Sequence, residues 1–269
     1  MLNDLMPIVV DLPAKDCTLY PLGDLHAGSK QFSEKAFRDW KKTVLEDETG
    51  RVVICGDLFE NATKNSVGDV YESMSPSATL EYLYNEFKDG LDEKIICMTS
   101  GNHEKRSKRE TDTDLLYMLA IKLKCEHLYR PSACFCFLRV NYREDGNIKT
   151  AGNYRPTYAM LVTHGAGGGQ YIGSGLNKVE RFGTVVDGLD LMITGHTHKP
   201  ACLPAIGKLQ MDFRNKQVIQ KQFVSVVCSS FMDYNGGYAL DKMLVPSGRA
   251  MQKIILSHYK KGITVVQST

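Results

Sequence analysis

Short apolar runs alternate with segments of helical periodicity along the first two-thirds of the chain. Three of these runs predict buried strands, and each is followed directly by a glycine: residues 17–22, 51–55 and 94–100. Between them, apolar residues at helical spacing predict one helix that begins after Ser33 and another that begins at Ser75-Pro76. This alternation of strand and helix predicts an α/β fold.

The later part of the chain is richer in strands. The predicted elements are a helix near 112–124, strands at 134–142 and 155–163 around a turn at Asp145-Gly146, a helix at 176–187 and a strand at 189–194. Residues 199–269 carry mainly strand signals, such as 221–229 and 251–259, so we expect them to complete a second sheet. No linker interrupts the chain, which predicts a single domain over residues 1–269.

Composition excludes some classes of protein but does not identify a binding partner. The chain has 43% hydrophobic residues, 24% charged residues and a net charge of +2, which neither demands nor excludes a nucleic-acid partner. No apolar run is long enough to cross a bilayer, and the N-terminal residues lack the pattern of a signal peptide. The eight cysteines form no CxxC pair and several lie in apolar runs, which predicts reduced thiols and a cytoplasmic location.

Histidines are concentrated at the ends of predicted strands. Five of the seven directly follow an apolar run, beside glycine or another metal-binding residue type: His26, His103, His164, His196 and His198. Because strand ends at one edge of an α/β sheet converge, we expect these side chains and the neighbouring Asp and Asn residues to meet in one site. Such a mixture of nitrogen and oxygen donors suits Mn, Fe, Zn or a similar divalent ion.

The spacing of these residues supports a shared site. Residues two apart in extended backbone face the same side, so Asp24 and His26 would reach one ion, and His196 and His198 would share a pair of ions. Taken singly, each motif has an ordinary explanation: Asp24 could cap a turn, and His164 could be a hydrogen-bonded core histidine. Five such motifs, each at a predicted strand end, make coincidence improbable.

Five motifs carry a family resemblance: GDLH (23–26), GDLFEN (56–61), GNHE (101–104), VTHG (162–165) and GHTH (195–198). In this order they resemble the calcineurin-like metallophosphoesterase family, and their wording is closest to its DNA-repair exonuclease branch and to small phage-type phosphoesterases. The resemblance implies a four-layer αββα sandwich of two mixed sheets flanked by helices, with a dinuclear metal site at the C-terminal ends of the strands. Residues 199–269 carry no motif of the family.

The resemblance also implies roles for individual residues. One metal would be held by Asp24, His26 and His198, the other by Asn102, His164 and His196, with Asp57 bridging the two. His103 would be the general acid or transition-state donor, and Glu104 would orient or tune it. Two divalent ions are implied, with Mn preferred and Fe, Zn, Ni or Mg as alternatives, and a hydroxide that bridges them would attack phosphorus. Many members have Asp where this chain has Glu60, so a supporting role does not carry over directly to that position.

The basic run after the GNHE motif bears on the substrate. Lys105, Arg106, Lys108 and Arg109 would lie beside the metals, where they could hold a polyanionic backbone; a solvated charge run is the equally weighted alternative. We expect phosphodiester hydrolysis, most of all in DNA. Hydrolysis of small nucleotide diesters or monoesters is the alternative, and a non-catalytic metal-binding scaffold ranks last because every ligand position is filled.

Further expectations concern domain organisation and partners. Only residues 199–269 follow the last motif, which argues against the extra domain usual in repair nucleases. No membrane partner is expected, and an oligomer is left open, with a dimer as the first guess. Four tyrosines could stack bases, although structural roles are commoner: Tyr117, Tyr154, Tyr158 and Tyr171.

Overall fold

The structure, a computed structural model, describes most of the chain. The described residues are 4–13, 15–66, 70, 74–140, 156–167, 171–234, 240, 243, 245–246 and 248–269. Within them the strands are β1 (Ile8–Asp11), β2 (Cys17–Leu22), β3 (Gly50–Ile54), β4 (Ile95–Thr99), β5 (Tyr129–Arg130), β6 (Ala133–Arg139), β7 (Thr157–Thr163), β8 (Leu191–Thr194), β9 (Ala201–Asp212), β10 (Gln217–Val227), β11 (Met251–Leu256) and β12 (Ile263–Ser268). The α-helices are α1 (Glu34–Glu46), α2 (Pro76–Phe87), α3 (Glu104–Thr111), α4 (Leu115–Lys122) and α5 (Ile172–Gly183).

The strands form two mixed sheets. The first sheet has the order β12-β11-β2-β3-β4-β5, and the second has the order β1-β6-β7-β8-β10-β9. In the first sheet β2, β3, β4 and β5 are parallel, while β11 and β12 pair in antiparallel fashion. In the second sheet β7, β8 and β10 are parallel, and β6 and β9 each run antiparallel to a neighbour.

Helices cover the outer faces of both sheets, so the molecule has four layers. Helices α1, α2 and α4 pack on the first sheet through a buried cluster that includes Phe37, Trp40, Leu83, Phe87 and Leu116. Helix α5 packs on the second sheet, where Val179 joins Met192 and Phe223. Aliphatic and thiol side chains fill the space between the sheets. The four-layer αββα sandwich implied by the resemblance is confirmed.

Local sequence explains where several elements begin. Strand β2 spans the predicted residues, and α1 begins directly after Ser33, as predicted. The Ser33 side chain makes no capping bond to the helix. Helix α2 begins at Pro76, and the Ser75 hydroxyl accepts a hydrogen bond of 3.3 Å from the backbone N–H of Ala78. This capped start with proline in the first turn is the arrangement that the Ser-Pro pair predicts.

Other elements differ from the sequence prediction. The helix predicted near 112–124 begins only at Leu115, because the Asp114 carboxylate caps it by accepting a hydrogen bond from the Tyr117 N–H. The separate helix α3 precedes it and contains the basic run 105–109. Helix α5 begins four residues earlier than predicted and ends at Gly183. The predicted turn at Asp145-Gly146 lies outside the described residues.

Residues after His198 contribute strands to both sheets. Strands β9 and β10 join the second sheet beside β8, whereas β11 and β12 join the first sheet beside β2. The segment after β10 also holds the loop that follows β2. There, the Phe231 N–H and the Ser230 hydroxyl both donate to the Asp24 carbonyl, each at 3.1 Å. The C-terminal part of the chain therefore helps to position the loops at the strand ends.

Candidate metal centre

Loops that follow five strands bring the expected metal-binding side chains together. They are Asp24 and His26 after β2, Asp57 after β3, Asn102 and His103 after β4, His164 after β7, and His196 and His198 after β8. These strands belong to both sheets, and the side chains meet at the carboxyl ends of the strands. This edge is where open α/β sheets bind ligands.

Tight turns, and not extended backbone, orient these side chains toward the site. Five of the residues have a left-handed backbone with φ between 50° and 73°: Asp24, His26, Asp57, His196 and His198. Asp and His tolerate this conformation better than branched residues do, and such strain tends to concentrate at functional sites. The expectation that Asp24 and His26 act together through extended backbone is therefore wrong in its geometry, although the two side chains do meet.

Two glycines allow the loops after β3 and β4 to approach each other. A Cβ atom on Gly101 would overlap the Asp57 carboxylate, and one on Gly56 would overlap the backbone nitrogen of Gly101. Gly56 also has φ of 89°, a conformation that L side chains rarely adopt. The position of Asp57 thus depends on the absence of a side chain at both glycines.

The first group of donor atoms joins Asp24, His26 and His198. His26 Nε2 lies 3.1 Å from His198 Nε2, which in turn lies 3.5 Å from Asp24 Oδ1. The backbone N–H of His196 contacts both Asp24 oxygens, at 3.0 and 2.9 Å. Ligand atoms about 2.1 Å from a shared ion lie roughly 3–4 Å apart, so this group has the dimensions to hold one divalent ion.

The second group joins Asn102, His164 and His196. Asn102 Oδ1 lies 2.9 Å from His164 Nε2 and 2.7 Å from His196 Nδ1, and these two ring nitrogens are 3.2 Å apart. An amide oxygen and two imidazole nitrogens at this spacing also match the geometry of ligands around a single ion.

Asp57 lies between the two groups. Its Oδ2 atom is 3.0 Å from His164 Nε2 and 4.0 Å from His26 Nε2. Its Oδ1 atom accepts a hydrogen bond of 2.9 Å from the backbone N–H of His103. The carboxylate is almost fully buried, so it is oriented by these contacts and can reach an ion in either group.

The outer nitrogens of two histidine rings are hydrogen-bonded. His164 Nδ1 lies 2.8 Å from the Cys55 carbonyl oxygen, and His26 Nδ1 lies 2.9 Å from Glu60 Oε2. In the neutral rings these contacts place the proton on Nδ1, so the lone pair on Nε2 faces the centre. Glu60 therefore supports His26, a role that the family resemblance alone did not assign to it.

Carboxylate and imidazole groups shift each other's pKa values in the centre. Burial would raise the pKa of Asp57, but the hydrogen bond with His164 and the charges of the nearby histidines outweigh burial and hold this pKa well below its usual value. Burial would lower the pKa of His164, but Asp57 and Asp24 raise it to about 9. Two buried carboxylates beside imidazole lone pairs also attract divalent cations, which compete with protons for the same lone pairs. The donor set therefore fits two metal ions.

Comparison with known families identifies the chain. The family model described as calcineurin-like phosphoesterase matches residues 21–200, which is more than half of the chain. The chain belongs to the calcineurin-like phosphoesterase family. Members of this family are dimetal-dependent hydrolases of phosphoesters. In this calcineurin-like phosphoesterase, one group that could hold a metal is Asp24, His26 and His198, and another is Asp57, His164 and His196.

Two solved structures resemble this calcineurin-like phosphoesterase at low identity. One is a conserved uncharacterised protein, a predicted phosphoesterase, from Streptococcus pneumoniae TIGR4: it is 10% identical, the match covers 94% of this chain and 98% of that one, and the TM-score is 0.34. The other is a metallophosphoesterase from Sphaerobacter thermophilus, with 11% identity, coverage of 94% and 88%, and a TM-score of 0.37. No curated protein matches the chain. In the described part of this phosphoesterase, no helix is both long and apolar enough to span a membrane.

His103 lies at the edge of the centre of this phosphoesterase. Its Nδ1 atom donates to the Glu60 carbonyl oxygen at 2.7 Å, and its Nε2 atom lies 2.9 Å from Arg106 Nη2. Because a guanidinium group can only donate, Nε2 accepts in this arrangement. Burial first, and then the charge of His26, lower the pKa of His103 to about 4. A donor role for His103 therefore requires Nε2 to take up a proton during the reaction.

Glu104 is fully buried and binds backbone amides. Its carboxylate accepts hydrogen bonds from the N–H groups of Asp57, Phe59 and Gly101, at 3.0, 3.1 and 2.8 Å. Burial and then the charge of Asp57 raise its pKa to about 7, against the effect of these bonds. Glu104 thus ties together the loops after β3 and β4. These contacts are to backbone, not to the His103 ring that Glu104 was expected to orient.

The four basic residues expected to bind substrate diverge on α3. Arg106 and Arg109, one helical turn apart, line a polar cavity of about 380 Å³ that also includes Asn102. Lys108 instead forms an ion pair of 3.0 Å with Asp114, and Lys105 does not line the cavity. The structure therefore brings two of the four residues to the polar cavity, while the other two do not line it.

The tyrosines considered for base stacking are not part of the polar cavity within the described residues. Tyr117 packs against Tyr129 with ring centroids 5.3 Å apart. Tyr158 is buried, and its hydroxyl donates to the Ser257 carbonyl at 2.7 Å. Tyr171 is exposed, and Tyr154 lies outside the described residues. Tyr117 and Tyr158 therefore have the structural roles that were the commoner expectation.

Proposed function

We propose that this phosphoesterase hydrolyses phosphodiester bonds with two divalent ions and that its substrate is DNA. The observation that supports this substrate is the polar cavity beside Asn102, which presents Arg106 and Arg109 next to the metal centre. Two guanidinium groups suit a backbone in which one phosphate follows another. A monoester offers a single phosphate and would leave one of these groups without a phosphate partner.

The proposal gives each donor group one ion. Asp24, His26 and His198 hold the first ion, Asn102, His164 and His196 hold the second, and Asp57 contacts both. Manganese is our preferred ion by family resemblance, because nitrogen and oxygen donors of these types also suit iron and zinc. When bound, the ions supply Lewis acids that activate water as the nucleophile and offset negative charge on the phosphoryl oxygens.

Residues of α3 and the preceding loop complete the chemistry. A substrate phosphate is a stronger hydrogen-bond acceptor for Arg106 than the neutral His103 ring is, so the bound phosphate would draw the guanidinium away from His103 Nε2. That nitrogen would then be free to take up a proton and serve the leaving oxygen as a general acid. Glu104 keeps Asp57 in place through the loop backbone.

A small nucleotide is the second candidate substrate. Since Lys108 is paired with Asp114 and Lys105 does not line the polar cavity, the cations of this cavity are two arginines, and Glu110 lines it as well. A short anion would be enough to occupy it. The same centre would then act as a phosphodiesterase or phosphomonoesterase on nucleotides. A non-catalytic metal-binding scaffold ranks last because the donor set is complete.

A substrate panel tests the proposal. The protein is loaded with Mn²⁺ and assayed on single-stranded DNA, double-stranded DNA, bis-p-nitrophenyl phosphate, p-nitrophenyl phosphate and cyclic nucleotides. We expect elemental analysis to find two ions per chain, a chelator to abolish activity, and DNA cleavage to weaken steeply with salt. Strong monoester activity without DNA cleavage would favour the second candidate. Failure to bind metal under any loading condition would overturn both.

We further propose a cytoplasmic location and a single domain over residues 1–269. All eight cysteines are free and seven are buried, which is the state expected of thiols in a reducing compartment. A dimer is the simplest oligomer to test, by sedimentation of the purified chain.

A further inference from the structure

A second cavity lies on the flank formed by the second sheet, beneath α5. It has a volume of about 390 Å³, and we call it the α5 cavity. Its lining includes Gly165, Gly195 and Thr197, each directly next in sequence to a histidine of the metal centre. The α5 cavity therefore begins beside the centre, and it shares no lining residue with the polar cavity of α3.

The α5 cavity combines apolar walls with two cations. Val179 and Met192 are buried and form part of its apolar surface, and the half-exposed ring of Phe182 also lines it. Lys178 and Arg181 line it as well, and neither forms an ion pair with any residue that the structure describes. Pockets that are mainly apolar and carry a few polar groups are typical sites for small organic ligands.

The lining of the α5 cavity indicates the class of ligand that it would take. Apolar walls beside two cations suit an apolar group that is linked to an anion.

We propose that the α5 cavity binds the base of the nucleotide whose phosphate is hydrolysed, an inference that rests on the proposed function. A nucleobase offers apolar faces to the walls formed by Val179 and Met192, while phosphates of the same substrate bring negative charge to Lys178 and Arg181. Pockets for small ligands begin at about 300 Å³, so the cavity has room for one base. A base in this position is unstacked, so single-stranded DNA or a free nucleotide diester is the substrate and intact duplex is not.

A matched pair of substrates isolates the contribution of the base. Methyl p-nitrophenyl phosphate and thymidine 5′-(p-nitrophenyl phosphate) share a leaving group and differ in the alcohol on the other ester oxygen. With Mn²⁺ present, we expect kcat/KM to be about tenfold or more higher for the thymidine ester, because its base buries apolar surface in the cavity. Equal kcat/KM values would overturn the inference and leave the proposed function intact. Hydrolysis of neither ester would overturn both.

Two tryptophan variants locate the effect in the cavity. Ala166 is exposed and lines the α5 cavity, whereas Asn177 is exposed on α5 and does not line it. We expect Ala166→Trp to fill the cavity and remove the preference for the thymidine ester, and Asn177→Trp to retain it. If both variants change the preference equally, or if neither does, the cavity does not bind the base.

Discussion

We call the part of the metal centre beside α3 and the polar cavity the α3 flank, and the part beside the α5 cavity the α5 flank. The two flanks differ in how their polar groups are paired. On the α3 flank, Glu104 accepts hydrogen bonds from three backbone amides. Asn61 donates to the His103 carbonyl at 2.8 Å and to the Ser107 hydroxyl at 3.0 Å. The His103 ring is itself held between Glu60 and Arg106. Such a pre-organised network suits groups that act on the reacting phosphate, because it costs little reorganisation at the moment of reaction.

On the α5 flank, by contrast, charged groups lack ion-pair partners among the described residues. Lys178 and Arg181 have no ion-pair partner in the part of the chain that is described. Both line an apolar cavity, so their partners would come from a ligand. If the α5 cavity binds the base, the base and the group that acts on the leaving oxygen lie on separate flanks. Loss of His103 on the α3 flank should then lower the rate for every substrate, and mutations on the α5 flank should change the choice among substrates.

The largest effect is expected from Asp57→Ala, which removes the part that both flanks share. Because Asp57 lies between the two donor groups, its loss should abolish metal binding and lower every activity by more than the roughly 10²–10⁴-fold expected from loss of a general acid. Elemental analysis and rates on the whole substrate panel measure both effects. Asp89→Ala, at an exposed position outside the centre, is the control and should retain metal and activity. Retention of both ions by Asp57→Ala would contradict the bridging role.

His103→Ala tests whether the α3 flank acts on the chemistry alone. Its side chain belongs to neither donor group proposed for the ions, so both ions should stay bound. Turnover should fall by roughly 10²–10⁴-fold, and by the same factor for the methyl and thymidine esters, because the leaving group is identical in the two. Metal loss as severe as that of Asp57→Ala would show that the assigned roles are wrong.

Glu60→Gln should give a smaller effect, seen mainly in metal affinity. The variant keeps the size of the side chain and the backbone carbonyl that holds His103, but it weakens the support of His26 Nδ1. Loss of such a supporting carboxylate typically costs about 10–100-fold in metal affinity. Titration with Mn²⁺ measures it. Glu86→Gln, which disturbs a pair with Lys41 away from the centre, is the matched control. Equal Mn²⁺ affinity in the two variants would show that Glu60 does not support metal binding.

The sequence was sufficient to find the loops of the metal centre. Each follows a short apolar strand and carries chemistry-bearing residues beside glycine, as in Gly56-Asp57 and Gly101-Asn102. Strand ends converge in any α/β sheet, so identifying the strands was enough to bring these residues together. The four-layer fold followed from the family resemblance, and the observed layers agree with it.

Features that depend on packing could not be predicted in the same way. Arg106 and Lys108 are separated because they lie on different faces of α3, and the charged run did not predict this helix. The α5 cavity exists because α5 approaches the second sheet closely: a Cβ atom on Gly175 would overlap Thr197, and one on Gly183 would overlap Phe223. No local pattern encodes such contacts between distant segments, so the cavity became visible only in the structure.

The smallest effect is expected for Arg109→Ala, a change at a residue that would contact a DNA phosphate next to the reacting one. Arg109→Ala and Lys105→Ala each remove one positive charge from α3, so they change the overall field equally, but only Arg109 lines the polar cavity. If that cavity holds a neighbouring phosphate, Arg109→Ala should reduce the slope of log affinity for single-stranded DNA against log salt by about 0.7, while Lys105→Ala changes it less. Binding measured at several salt concentrations distinguishes the two. Identical slopes in both variants would mean that α3 contributes only general positive charge, and DNA would then lose its main support against the small-nucleotide alternative.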